Sequence, residues 1–253
     1  MKTAIIQMDI VWHDMDKNLN HADELINSLP GAELYLLPEM FPTGFSMHPE
    51  EIADGEGKVL GWMKNKSKEV GAALCGTAAV KYEGDYFNRM YFVTPDGKVE
   101  TYDKRHLFSF AGEDKRYKAG DKRVVVEWKG VRILLQTCYD LRFPVFSRNQ
   151  GDYDMAVYLA SWPEARHEVW TTLLKARAIE NQCYVAGVNR TGDDPQCHYI
   201  GGSAVIDPYG RYIAQCADNK EEVVSAEVDM ERLERFRKKF PVLEDRDDIA
   251  SLK

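Results

Sequence analysis

Three short segments of this chain, 32–37, 131–137 and 155–160, are apolar on both faces of the pleat. Side chains alternate sides along a strand, so a strand with one wet face carries a polar residue at every second position. These three do not, and each must be covered above and below. The covers are visible. Asp14 can cap a helix that runs to Leu29, with Leu19, Ala22, Leu25, Ile26 and Leu29 at helical spacing. A second helical stretch, 59–70, stops at Gly71, and the strongest helix covers 164–182. Further strands are expected at 3–11, 72–80, 183–189 and 223–228, the last followed by a short charged helix. Hairpins are expected around Pro95-Asp96-Gly97, Lys129-Gly130 and Pro208-Tyr209-Gly210. Strand–helix units mixed with hairpins predict an α/β fold with a mixed sheet, or two sheets, covered by helices. No linker or composition shift interrupts the 253 residues. The expectation is one domain over 1–253 with a tail from about 240.

Charge and cysteine usage narrow the function. The formal net charge is −8, whereas a nucleic-acid or anionic-membrane surface needs a basic footprint. No apolar run reaches the roughly 18–20 residues of a membrane span, and MKTAIIQMDIVWHD is too polar for a signal peptide. The five cysteines (Cys75, Cys138, Cys183, Cys197, Cys216) are scattered and never spaced C-x-x-C. That argues against a disulfide framework or zinc knuckle and for a reducing cytoplasm. No metal-ligand spacing and no Gly-rich phosphate loop follows a strand.

Ligand sites in such folds lie outside the carboxyl ends of strands, so those ends carry the functional reading. Strand 32–37 leads into Pro38-Glu39-Met40-Phe41-Pro42, a carboxylate among apolar side chains. Desolvation raises a carboxyl pKa and suits it to general-base work, although a Glu at a strand end can equally point to solvent. The strand at 98–102 leads into Asp103-Lys104-Arg105-His106-Leu107-Phe108, a basic loop if nothing more. Strand 131–137 runs into Cys138-Tyr139-Asp140-Leu141-Arg142-Phe143-Pro144, where a cysteine meets a predicted helix start. A thiol at such a turn is exposed like a nucleophile, free N–H groups lie beside it, and a helix N-terminus lowers its pKa. None of the six histidines sits in a recognisable Cys–His context.

Taken in order, LPEMFPTGF, YDKRHLF and LQTCYDLRFP resemble the Glu–Lys–Cys signature of the nitrilase (carbon–nitrogen hydrolase) superfamily, over a stretch from IIQMDIVWHDMDKNL to GGSAVIDPYG. Within it, ASWPEARHEVW, KARAIENQ and GVNRTG look most like the omega-amidase branch. The resemblance implies a four-layer α-β-β-α sandwich with mixed sheets, packed as a homodimer, using neither metal nor organic cofactor. It implies Cys138 as nucleophile and Glu39 as the base that takes its proton. Lys104, beside the Tyr139 N–H, would donate to the oxyanion and favour the thiolate. Glu113 would be the second glutamate, in preference to Asp114. The implied reaction is hydrolysis of the terminal amide of small oxo-acid amides (2-oxoglutaramate, 2-oxosuccinamate) through a cysteine thioester. A substrate of that kind needs a cation for its far carboxylate, for which Arg142 and Arg166 are the candidates. Phe41, Phe45 and Trp162 are expected to wall the pocket, and Arg177 and Glu180 to be scaffold. A carbamoylase, a true nitrilase and a catalytically silent metabolite-binding member are the competing readings.

Overall fold

A computed structural model of the chain describes residues 1–55 and 57–247. Its strands are β1 (Lys2–Gln7), β2 (Leu34–Leu36), β3 (Ala73–Tyr82), β4 (Asp85–Val93), β5 (Val99–Asp103), β6 (Val125–Trp128), β7 (Val131–Thr137), β8 (Met155–Ala160), β9 (Tyr184–Asn189), β10 (Thr191–Asp193), β11 (His198–Ile200), β12 (Ala204–Ile206), β13 (Tyr212–Gln215) and β14 (Glu222–Glu227). Two six-stranded sheets, ordered β14-β1-β2-β3-β4-β5 and β13-β12-β9-β8-β7-β6, stand beside a separate β10–β11 ribbon. Both sheets are mixed in the same way. A parallel centre, β1-β2-β3 in one and β7-β8-β9 in the other, is flanked by antiparallel strands.

Alternation along these strands builds the layers. Ile5, Leu34, Leu36, Cys75 and Phe92 of the first sheet pack with Ile133, Leu135, Val157, Ala186 and Val205 of the second in one core between the sheets. The intervening residues face outward. Ala4, Ile6 and Leu74 meet Leu19, Ala22 and Ile26 of α1 (Met15–Ser28); α2 (Pro49–Ile52) is a single short turn, and Val59 and Met63 of α3 (Lys58–Val70) join the same outer cluster. On the far side of the second sheet, after the short α4 (Pro144–Ser147), Leu134, Ala156, Tyr158 and Val185 pack against Trp170, Leu174 and Ala178 of α5 (His167–Glu180). The molecule is therefore an α-β-β-α sandwich, and the two-sided apolar strands are those with a sheet on one face and a helix on the other. Gly187 of β9 shows how close the α5 layer sits: a Cβ there would lie 2.3 Å from Leu174 Cδ1.

Local signals held where the cap chemistry was explicit. Asp14 Oδ1 accepts the Lys17 N–H at 3.1 Å and opens α1, and α3 ends at Gly71 in the left-handed conformation. Other boundaries moved. The first strand stops at Gln7, because Asp9 leaves the sheet and bridges to Thr191 of the ribbon. The expected helix 164–182 begins as a 3-10 turn, Glu164–Arg166, before α5. After α6 (Met230–Lys239) the tail stays on the body: Gln182 Nε2 donates to the Phe240 carbonyl at 2.7 Å and Leu243 is buried. The rest of the expected tail, 248–253, lies outside the described residues.

Candidate active site

The ends of β5 and β7, and the loop after β2, converge between the sheets. Glu39, Lys104 and Glu113 are all buried there. Lys104 Nζ donates to Glu39 Oε1 at 2.9 Å and to both Glu113 oxygens at 3.1 and 2.9 Å. Burial opposes the Lys104 charge, yet the two carboxylates outweigh it and hold the ammonium well above its ordinary pKa. Burial, reinforced by Glu39, pushes the Glu113 carboxyl up while Lys104 pulls it down. Glu113 Oε2 also accepts the Phe108 N–H at 2.5 Å, so the loop after Lys104 folds back onto the carboxylate that holds the lysine. Asp114, the neighbour set aside, is exposed.

Asn88 completes the cluster, and the sequence reading missed it. Its Nδ2 donates to Glu39 Oε1 at 2.7 Å and to Glu113 Oε1 at 3.2 Å. The available signal was one uncharged amide on the β4 face that carries Met90 and Phe92 into the core. The other Glu39 oxygen accepts the Ser161 N–H at 2.8 Å, which ties Glu39 to the end of β8.

Cys138 opens a 3-10 turn, Cys138–Arg142, directly after β7. Its φ is +45°, a left-handed conformation that costs a non-glycine residue about 1–3 kcal/mol and persists only where the surroundings impose it. The strand-to-turn position expected from the sequence is therefore present, but the following element is a 3-10 turn and not a helix. The expectation of a lowered thiol pKa is corrected. Burial first, then the facing Glu39 carboxylate, push the Cys138 thiol well above its ordinary value, with Lys104 opposing them. The sulfur thus lies beside the Glu39 carboxylate. Tyr139 is the second residue of the turn, where a helical N–H has no acceptor within its own helix.

Above the sulfur lies a pocket of about 570 Å³ including its open mouth, lined by Phe45, Tyr139, Trp162, Phe108, Arg142 and Arg166 among others. Phe45 and Trp162 are walls, as expected, and the Phe45 ring lies 5.1 Å from Lys104 Nζ. Phe41 is not a wall. It is fully buried in the outer core, with its ring 5.6 Å from Trp62 and against Gly76, where a Cβ would come within 2.8 Å of it. The turn after Glu39 sends residue 41 back under the sheet, and residue 45 reaches the cavity instead. Both candidate arginines line the pocket. The guanidinium of Arg142 lies 5.2 Å from the Trp162 ring and that of Arg166 5.3 Å from the Phe108 ring. Asp194, Gln196, Cys197 and Tyr199, in and beside the β10–β11 ribbon, form the remaining wall that sequence reading did not foresee. Arg177 is buried scaffold: Nη2 donates to the Leu141 carbonyl at 2.6 Å and Nη1 pairs with Glu180 at 2.7 Å. Among the described residues, His48, Glu50 and Glu51 could bring metal-ligating atoms within 4.8 Å of one another, on an exposed turn that makes no hydrogen bond to this cluster.

A thiol, a carboxylate that can accept its proton and a fixed ammonium beneath a small pocket define a thiol hydrolase. The carbon-nitrogen hydrolase family model matches residues 2–238, and the chain belongs to that family. It is 47% identical to the omega-amidase YafV of Yersinia enterocolitica over 253 residues, covering 100% of this chain and 99% of that protein. It is 34% identical to the 2-oxoglutaramate amidase of Bacillus subtilis, covering 96% of each. The crystal structure of a CN-hydrolase superfamily protein from Xanthomonas campestris, with an arsenic adduct in its active site, matches with a TM-score of 0.95 at 42% identity and 98% coverage of each chain.

Proposed function

We propose that this protein is an omega-amidase, a thiol amidohydrolase that releases ammonia from the terminal amide of 2-oxoglutaramate or 2-oxosuccinamate. The carrying observation is the buried Glu39–Lys104–Glu113 cluster facing the Cys138 thiol. Glu39 takes the thiol proton as the sulfur attacks the amide carbon. The oxygen, now negative, receives hydrogen bonds from Lys104 Nζ and the Tyr139 N–H. Preorganised donors of this kind act where charge develops, and losing one costs roughly 10²–10³ in rate. Glu39 hands its proton to the leaving ammonia, leaving a thioester. Water deprotonated by Glu39 attacks that thioester and frees the carboxylate and the thiol. Glu113 and Asn88 keep Lys104 and Glu39 in place and do not touch substrate.

The far carboxylate of an oxo acid is taken by an arginine at the mouth, with Arg166 favoured because it is half-buried while Arg142 is exposed. Relatives with 47% and 34% identity named for omega-amidase and 2-oxoglutaramate amidase activity support this choice of substrate. The enzyme is read as a single domain and as a cytoplasmic homodimer. All five cysteines are free thiols, consistent with a reducing compartment. Exposed Val145, Ile179 and Phe240 beside α5 offer the apolar surface that a second copy would cover. No described helix is long and apolar enough to cross a membrane.

The test is a coupled ammonia assay across oxo-acid amides, asparagine, glutamine, short aliphatic amides, nitriles and N-carbamoyl amino acids. Release from the oxo-acid amides, lost in Cys138→Ala, is expected. Turnover of nitriles or carbamoyl compounds alone would reassign the branch, and full activity in Cys138→Ala would remove the mechanism.

A further inference from the structure

Asp140 lies two residues after Cys138 in the same turn, with its side chain fully buried, and the chemistry above gives it no task. Its oxygens collect donors from two distant stretches of chain. Oδ2 accepts the Thr137 N–H at 2.9 Å and the Tyr102 hydroxyl at 2.6 Å. Oδ1 accepts the His106 N–H at 2.9 Å and meets His106 Nδ1 at 2.8 Å; facing a carboxylate, that nitrogen is assigned as protonated. Tyr102 and His106 flank Lys104 on either side. The Tyr102 oxygen accepts in turn from the Arg105 N–H at 3.1 Å. The His106 ring lies flat on Phe143, with centroids 3.9 Å apart, so it is held from the nucleophile side as well.

The arrangement answers a mechanical problem. Cys138 and Lys104 follow strands of different sheets, and among the described residues no ladder pairs those sheets; core packing and a few loop contacts, such as the Ser161 N–H to Glu39, join them. The left-handed backbone at Cys138 also needs a neighbour that imposes it. One buried carboxylate holding the residue before the sulfur and the residues two before and two after the lysine meets both needs, since hydrogen bonds to a carboxylate are the short, strong ones.

We propose that Asp140 is a positioning residue, a buried brace that fixes the Cys138 turn against the Lys104 strand end and so sets the sulfur–ammonium separation used in turnover. The proposal rests on the Cys138–Lys104 reading above. Asp140→Asn keeps the shape but turns an NH₂ group toward donors. Misplacement of about 1 Å costs on the order of 10²-fold in rate. The expected result is a kcat about 100-fold lower with KM within about threefold, and alkylation of Cys138 by iodoacetamide slowed relative to Cys197 in the same pocket. A purely structural role would lower the melting temperature while leaving kcat and the alkylation ratio at wild-type values well below melting, and that result overturns the proposal. Tyr102→Phe removes a single bond to the brace and decides the matter if Asp140→Asn does not fold. Its kcat should fall about tenfold at unchanged KM, and wild-type kcat there also overturns the brace. Cys138→Ala runs alongside. If it is inactive while the brace variants keep full kcat, only the brace fails; if it turns over, the underlying reading fails.

Discussion

Replacing Lys104 by Met keeps most of the side-chain volume and removes one charge from a fully buried cluster. What remains is Glu39 and Glu113, both inaccessible to solvent, joined only by Asn88 Nδ2 at 2.7 and 3.2 Å. Removing one partner of a buried ion pair costs about 3–5 kcal/mol, because the other charge is left uncompensated. For a chain of this length each kcal/mol shifts the melting temperature by roughly 2–4 °C. The expected loss is therefore about 6–20 °C at pH 7.5, with no turnover. The deficit should also depend on pH. Lys104 is held well above its ordinary value in the native protein and does not titrate between pH 5 and 8. Glu113 is already raised by burial and by Glu39, and Lys104 is the group that restrains the rise. Without the ammonium, the folded-state carboxyl pKa climbs further above its unfolded value of about 4.3. A group raised on folding contributes stability below its unfolded pKa and loses it as pH rises through the folded one. The gap between variant and wild type should thus be widest at pH 8 and narrow toward pH 5. Adding Glu113→Gln to Lys104→Met should recover part of the melting temperature without restoring turnover. Thermal melts followed by circular dichroism at four pH values provide the measurement. A variant within 2 °C of wild type at pH 7.5, or a deficit flat in pH, would refute the description of the trio as a balanced buried charge cluster.

Two further substitutions separate pocket from core. Arg166→Ala should raise KM for 2-oxoglutaramate about 10- to 100-fold, the worth of a charge-assisted hydrogen bond, and change a neutral short amide by less than about threefold; equal effects on both would remove Arg166 as the carboxylate partner and direct the test to Arg142. Phe41→Ala should cost about 3–5 kcal/mol of stability, read from denaturant melts, and leave KM within about twofold, whereas a raised KM with unchanged stability would return Phe41 to the pocket wall.

How much of the site was legible follows from where each signal lived. Glu39, Lys104 and Cys138 each stand just past a strand within a short motif, so local sequence located them. Asn88 sits mid-strand in DYFNRMYFV and contributes through a single amide, which gains meaning only when β4 lies beside the end of β5. The ribbon wall at 191–200 was missed because Asp193-Asp194-Pro195 reads as a loop, and its two three-residue strands pair with each other outside both main sheets, tied to the first through the Asp9–Thr191 bridge. Phe41 and Phe45 have the same chemistry four residues apart, and the path of the turn between them decides which one is core.

By itself the amino-acid sequence determined the alternation of covered strands and helices, the turn chemistry, the acidic and cysteine-free-of-motif character that excludes several partners, and the order of the three reactive residues. Those are properties of neighbours along the chain, set by periodicity, caps and backbone preference. The tertiary structure alone decided that one ammonium is shared by two carboxylates, that burial and Glu39 push the thiol pKa up, and that Asp140 joins two sheets. Each of those depends on burial and on groups tens of residues apart, and desolvation is a property of what surrounds a side chain, which no local pattern carries.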